Sequence, residues 1–163
     1  MIFLTVGTQL PFDRLVGAVD RWAERRTGTR VLAQIGASTL KPRHIESRQF
    51  MDAGAFSAAL TQCRAVVGHA GIGTILGALE LGKPVIVMPR RAAFGEHRND
   101  HQLATVAGLA HLRNLHVAAD EEALFRSLED VASATGSSDL RHHASDELIG
   151  AIRAFIRGSE PTR

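Results

Sequence analysis

Residues 65 to 102 read AVVGHAGIGTILGALELGKPVIVMPRRAAFGEHRNDHQ, and the order of residue types in this stretch decides the fold. Ala65-Val66-Val67-Gly68 is short, apolar and β-branched, as a buried strand requires. Gly71 and Gly73 permit a tight turn and a close backbone approach. Thr74 opens an apolar run at helical spacing, Ile75, Leu76 and Leu79. Gly82 stands in the C′ position after that run, and Pro84 prevents its continuation. Pro84 and Pro89 bracket a second buried strand, Val85 to Met88. Strand, glycine turn, short helix, strand is a βαβ unit, whose strands pair in parallel.

The same alternation extends in both directions. Ile2 to Val6 reads as a strand, Gly7 to Pro11 as its loop, and Phe12 to Arg26 as a helix with Phe12, Leu15, Val16, Val19 and Trp22 on one face. Arg30 to Ile35 is a strand, Ser47 to Phe50 a short one, and Ala55 to Cys63 a helix with Phe56, Ala59, Leu60 and Cys63 inward. Downstream, a helix from about Asn99 to Leu109 would bury Leu103, Val106 and Ala107. A last strand runs from Leu112 to Val117, and Asp120 caps a helix carrying Leu124, Phe125 and Leu128. Residues 1–132 thus form an open, doubly wound parallel α/β sheet of Rossmann-like type. Residues 133–163 read as a small polar linker and a final helix from Leu140 to Ile156, striped with Leu148, Ile149, Ile152, Phe155 and Ile156.

Composition excludes several classes. The 163 residues fit one domain with a real core, and the net charge is only +2. Lysine occurs only at 41 and 83, and no Lys/Arg cluster interleaves with aromatics, so nucleic acid is not an expected partner. The single cysteine, Cys63, forbids an intramolecular disulfide and suits a reducing compartment. No signal peptide precedes Ile2 and no apolar run reaches membrane-spanning length. The expectation is a cytoplasmic protein, recruited to the inner face of a membrane only if a partner holds it there.

The glycine turn carries chemistry. The first N–H groups of a helix are unpaired and lie at the positive end of its dipole, where phosphate oxygens bind well. His69 and Thr74 flank the turn with a donor-capable ring and a hydroxyl. A turn whose glycines only relieve strain is the plainer alternative. Ligands of open α/β sheets bind beyond the carboxyl ends of the strands. The loops at that edge are Gly7 to Pro11, Gly36 to Thr39, His69 to Thr74 and Pro89 to Gln102, and they hold most of the polar residues noted here. This agreement favours a nucleotide-type site.

Four segments, Thr5 to Gln9, His69 to Thr74, Leu81 to Pro89 and Gly95 to Gln102, together resemble the C-terminal domain of family 28 glycosyltransferases. The resemblance runs from Met1 to about Val131, and it is nearest to stand-alone versions of the domain. These are the small subunits of two-component glycosyltransferases in exopolysaccharide synthesis and the cytosolic half of a split enzyme of dolichol-linked oligosaccharide synthesis. It implies one half of a GT-B enzyme that binds a UDP-sugar donor, with no cofactor and no metal. By the resemblance Gly71, Ile72, Gly73 and Thr74 hold the diphosphate, His69 contacts phosphate, and Gly7, Thr8 and Gln9 face the interdomain cleft. Gln102 contacts the sugar, and Asn99 beside it either joins that site or caps the helix. Arg90, Arg91 and Arg98 stand at the same edge, to neutralise diphosphate, to read an acidic sugar, or as a solvated cationic loop. His69 is the one catalytic candidate, because no acid/base dyad is readable and the base of such enzymes belongs to the acceptor domain. The family's acidic ribose-binding residue is replaced by Gly77, with Glu80 one turn later on the same face.

The resemblance therefore implies the donor-binding subunit of an inverting hexosyltransferase acting on a lipid-linked acceptor. The acceptor domain is expected on a membrane-anchored partner chain, with the final helix as docking element. Two alternatives stand beside this reading. One is a non-catalytic nucleotide-sugar-binding or regulatory subunit. The other is a zinc site on His97 and His101, four apart and flanked by Glu96 and Asp100.

Overall fold

The computed structural model describes residues 1–26 and 28–133. In chain order they form β1 (Ile2–Thr5), α1 (Asp13–Arg25), β2 (Val31–Gln34), β3 (Glu46–Arg48), α2 (Ala53–Gln62) and β4 (Ala65–His69). Then follow α3 (Ile72–Glu80), β5 (Val85–Met88), a 3-10 turn (Ala92–Phe94), α4 (His101–Leu109), β6 (Leu115–Val117) and α5 (Glu121–Ser133). One six-stranded sheet has the order β3-β2-β1-β4-β5-β6, and every neighbouring pair is parallel.

Alternation along β1 sends its side chains to opposite faces. Ile2 and Leu4 pack in one core with Leu15, Val19 and Trp22 of α1 and Leu124 and Leu128 of α5. Phe3 packs in the other, with Ala59 of α2, Ile75 and Leu79 of α3, and Val106 and Leu109 of α4. The sheet is thus covered on both faces, which is why β1, β4 and β5 read as continuous apolar runs. Trp22 Nε1 donates to Glu129 at 2.8 Å and joins α1 to α5.

The end of α3 matches its sequence signal. Gly82 has φ 65°, its N–H donates to Leu79 O, and the N–H of Lys83 donates to Ala78 O. These are the two bonds of a Schellman ending, and they need a residue tolerant of the left-handed region. Asp120 caps α5 by accepting from Ala123 N at 2.8 Å.

Other boundaries differ from the sequence reading. The helix α3 begins at Ile72, ahead of Thr74, because Gly71 O already accepts from Ile75 N. The short strand β3 is Glu46–Arg48 rather than 47–50, and it is exposed along its length at the sheet edge. The helix α4 starts at His101, and its buried face is Gln102, Thr105, Val106 and Leu109; Leu103 is only half-buried and Ala107 is exposed. The stripe is rotated because Gln102 has backbone partners inside. Ser133, the expected first residue of the linker, is the last of α5, and the rest of the expected linker and the final helix lie outside the described residues.

Candidate functional site

The sheet reverses direction of winding between β1 and β4, and the loops that follow these strands part there. A cavity of about 510 Å³ opens at that point. Of the residues singled out in the sequence, Gly7, Thr8, Gln9, His69, Gly71, Ile72, Gly73, Thr74, Arg90 and Gln102 line it. The structure does not bring Arg91 or Asn99 to it. Leu10, His97, His101 and Thr105 line it as well.

One wall is the start of α3. Gly71 is its N-cap and offers no side chain, so no side-chain bond caps the helix. Ile75 is the first residue of the helix whose N–H reaches a helical carbonyl, that of Gly71. The N–H groups of Ile72, Gly73 and Thr74 therefore remain for a ligand or water, at the positive end of the helix. A Cβ on Gly73 would meet nothing within 4 Å, so this turn is open to an approaching molecule. The methyl of Thr74 rests over Gly68 of β4, where an added Cβ would stand 3.4 Å from it.

His69, the last residue of β4, is held between two glycines. A side chain on Gly7 would bring its Cβ to 2.9 Å from His69 Cε1, and one on Gly71 would overlap Nε2. Gly7 also has φ 77°, a conformation that disfavours any other residue. The Nδ1 of His69 is buried and makes no well-formed hydrogen bond, although the Thr5 backbone beside the ring favours its protonated form. Burial, with the nearby charge of Arg90 and then His97, pulls the pKa of His69 down to about 4. The ring is neutral at physiological pH, as a base or a neutral hydrogen-bonding group must be.

Arg90 is buried, and its guanidinium is occupied. Nη2 donates to Val6 O and Leu10 O, both at 2.8 Å, and Nη1 to Pro11 O at 2.5 Å and Glu96 O at 3.3 Å. It also lies 4.6 Å from the centroid of the Phe12 ring. These bonds hold the loop after β1 in shape, so Arg90 frames the cavity rather than standing as a solvated cation. Gln102 is 4% exposed. Its Oε1 accepts the N–H of Ala70 at 3.2 Å and of Arg90 at 3.0 Å. Two backbone donors at one atom identify it as the oxygen. Gln102 thus ties the ends of β4 and β5 together.

The loop after β5 is fixed from α1. Arg14 grips Glu96 with two bonds, Nε to Oε1 at 2.6 Å and Nη2 to Oε2 at 2.8 Å, and Glu96 also accepts from Arg91 N at 2.9 Å. Nothing local in the sequence links Arg14 to Glu96, which the sequence reading places only beside the zinc alternative. Arg91 lies over Phe94 at 5.9 Å, away from the cavity. Asn99 is exposed, and its Oδ1 contacts His101 N and Nδ1. This is a turn contact at the start of α4.

The zinc alternative needed His97 and His101 on one helix. Only His101 is helical; His97 lies in the preceding loop, with the two ring centroids 4.4 Å apart and edge to face. Among the described residues no group of three or more His, Cys, Asp or Glu side chains converges to hold a metal ion. A Cβ on Gly77 would point at Leu60 of α2, 3.5 Å away, and Glu80 is exposed; neither lines the cavity. Among the described residues no helix is long and apolar enough to cross a membrane.

The fold and the site define an all-parallel, doubly wound α/β domain with a ligand cavity at its topological switch point. The model of the glycosyltransferase family 28 C-terminal domain matches residues 1–147, and the chain belongs to that family. No curated protein sequence matches it. Solved structures share the fold at low identity. The solution structure of ALG13 superposes with a TM-score of 0.61 at 18% identity, covering 94% of this chain and 93% of that one. A UDP-glucose:anthocyanidin 3-O-glucosyltransferase in complex with UDP gives 0.60 at 14%, over 98% of this chain and 36% of that one. MurG of Acinetobacter baumannii gives 0.59 at 17%, over 80% and 41%. The chain thus spans about two fifths of the length of these larger glycosyltransferases and nearly all of ALG13.

Proposed function

We propose that this chain is the donor-binding subunit of an inverting glycosyltransferase that uses a UDP-linked sugar. The observation that carries the reading is the uncapped start of α3, whose unpaired N–H groups open onto the switch-point cavity beside Thr74 and His69. That geometry suits a diphosphate. During transfer an acceptor hydroxyl attacks the anomeric carbon, the bond to the diphosphate breaks, and the electron pair leaves with UDP. The helix N-terminus and Thr74 stabilise the charge on the departing diphosphate, an electrostatic contribution made without reorganisation. Neutral His69 serves as a hydrogen-bonding group toward the phosphate. The acceptor's proton goes to a base on the acceptor domain.

A membrane-anchored partner subunit supplies that domain and binds a lipid-linked acceptor, in polysaccharide synthesis on the inner face of the membrane. The near-complete overlap with ALG13 and the partial overlap with larger glycosyltransferases support a domain that works with a second one. Calorimetric titration of UDP into the purified chain, with and without EDTA, tests the donor reading. Saturable binding that EDTA leaves unchanged is expected. Absence of binding overturns it, and binding abolished by EDTA returns a metal to the site. Sugar transfer is expected only once the partner is added; transfer to a lipid acceptor by the purified chain alone contradicts the split arrangement.

A further inference from the structure

The loop after β5 and the start of α4 form another wall of the cavity, which carries His97 and His101. Nothing in the donor reading uses them. Among the described residues that line the cavity none is acidic, while three are histidines and one is Arg90. The carboxylates next to His97 in sequence are engaged elsewhere. Glu96 is held by Arg14 and the N–H of Arg91, and Asp100 Oδ1 accepts from Ala92 N at 2.8 Å. Neither neutralises the imidazoles.

His97 is fixed in place. Its ring stands edge to face with His101, and the loop behind it is anchored by the grip of Arg14 on Glu96. Its Nδ1 is buried with no partner, which leaves Nε2 as the nitrogen available to a bound molecule. His97 and His69 both line this cavity. A preformed ring with one open nitrogen, in a wall without carboxylates, suits an anionic oxygen.

We propose that His97, backed by His101, is a second anion-contacting position of this cavity. It would receive an anionic group beyond the phosphate seated at α3. That group is either the distal phosphoryl of a nucleoside diphosphate or a carboxylate on its sugar; both present the same charged oxygen to Nε2. The proposal rests on the donor reading above and adds the residue that reads the far end of the ligand.

The test measures affinities of UMP, UDP, UDP-glucose and UDP-glucuronic acid for the wild-type chain, His97→Ala and His97→Phe. Phenylalanine keeps a ring against His101 and removes both nitrogens, so it reads the contact even if the alanine variant fails to fold. A charge-assisted hydrogen bond predicts a loss of about tenfold or more. If the distal phosphoryl is the ligand group, UDP weakens by that factor and UMP does not. If the carboxylate is, UDP-glucuronic acid weakens and UDP-glucose does not. Equal weakening of all four ligands, or no weakening of any, overturns the proposal while leaving donor binding intact. A wild-type chain that binds none of them overturns the donor reading itself.

Discussion

The imidazole of His69 occupies the space that a side chain at Gly71 would need. Nε2 of His69 lies where a Cβ at 71 would be built, and the ring is closed in from the other side by Gly7. The glycines of two separate loops therefore serve one ring. Gly71→Ala should push the ring out of its slot and weaken UDP binding by about tenfold or more, as a displaced binding group does. Gly73→Ala, where an added Cβ meets nothing, should keep the fold and shows what a clash-free methyl does at the same turn. Paired titrations of the two variants against wild type check this, and equal affinities for both alanine variants would count against it.

His69 also sets a pH dependence. Its folded pKa of about 4 lies below the ordinary 6.5, so the unfolded chain binds the proton more readily. Stability from this group is complete above about pH 6.5 and declines as pH falls through the window down to about 4. A shift of this size corresponds to on the order of 3 kcal/mol. Urea unfolding of wild type and His69→Gln between these pH values should show a shallower acid-side decline in the variant.

Arg90 is predicted to matter for stability before it matters for ligand. Arg90→Met would leave the carbonyls of Val6, Leu10 and Pro11 without their donor. Val6 is buried, whereas Leu10 and Pro11 are exposed and their carbonyls can turn to water, so a loss of about 1–3 kcal/mol is expected. Arg90→Lys should recover little, because one ammonium cannot reproduce the guanidinium fork. A urea midpoint unchanged in Arg90→Met would show that the loop does not depend on it.

The bond between Arg14 and Glu96 joins α1 to the loop carrying His97. A double-mutant cycle with Arg14→Met and Glu96→Gln should give a coupling of about 1–3 kcal/mol, larger than for an exposed pair. The exposed pair Arg21 and Glu121, bonded at 2.7 Å, provides the comparison and should couple by less than about 1 kcal/mol.

The βαβ unit, the glycine turn and the Schellman ending at Gly82 were legible because each is written within a few consecutive residues. The cavity's location followed, since a parallel sheet places its loops at one edge. What was not legible depends on pairs distant in sequence. Arg90 reaches Val6 across 84 positions, and Arg14 reaches Glu96 across 82. Chain-local patterning places Arg90 at the binding edge, toward diphosphate, an acidic sugar or solvent, and says nothing of Arg14. The inward turn of Gln102 was hidden for the same reason: its partners, the N–H groups of Ala70 and Arg90, are brought together only by the pairing of β4 with β5.

The central claim is that the open start of α3 is a phosphate site completed by the Thr74 hydroxyl. Thr74→Val removes the hydroxyl and keeps the methyl that rests over Gly68. The affinity for UDP, measured by calorimetry on wild type and Thr74→Val with matched unfolding curves, tests it most directly. A charged hydrogen bond of roughly 1.5–3 kcal/mol predicts that affinity falls tenfold to a hundredfold with stability retained. Equal affinity in the two proteins would contradict the assignment.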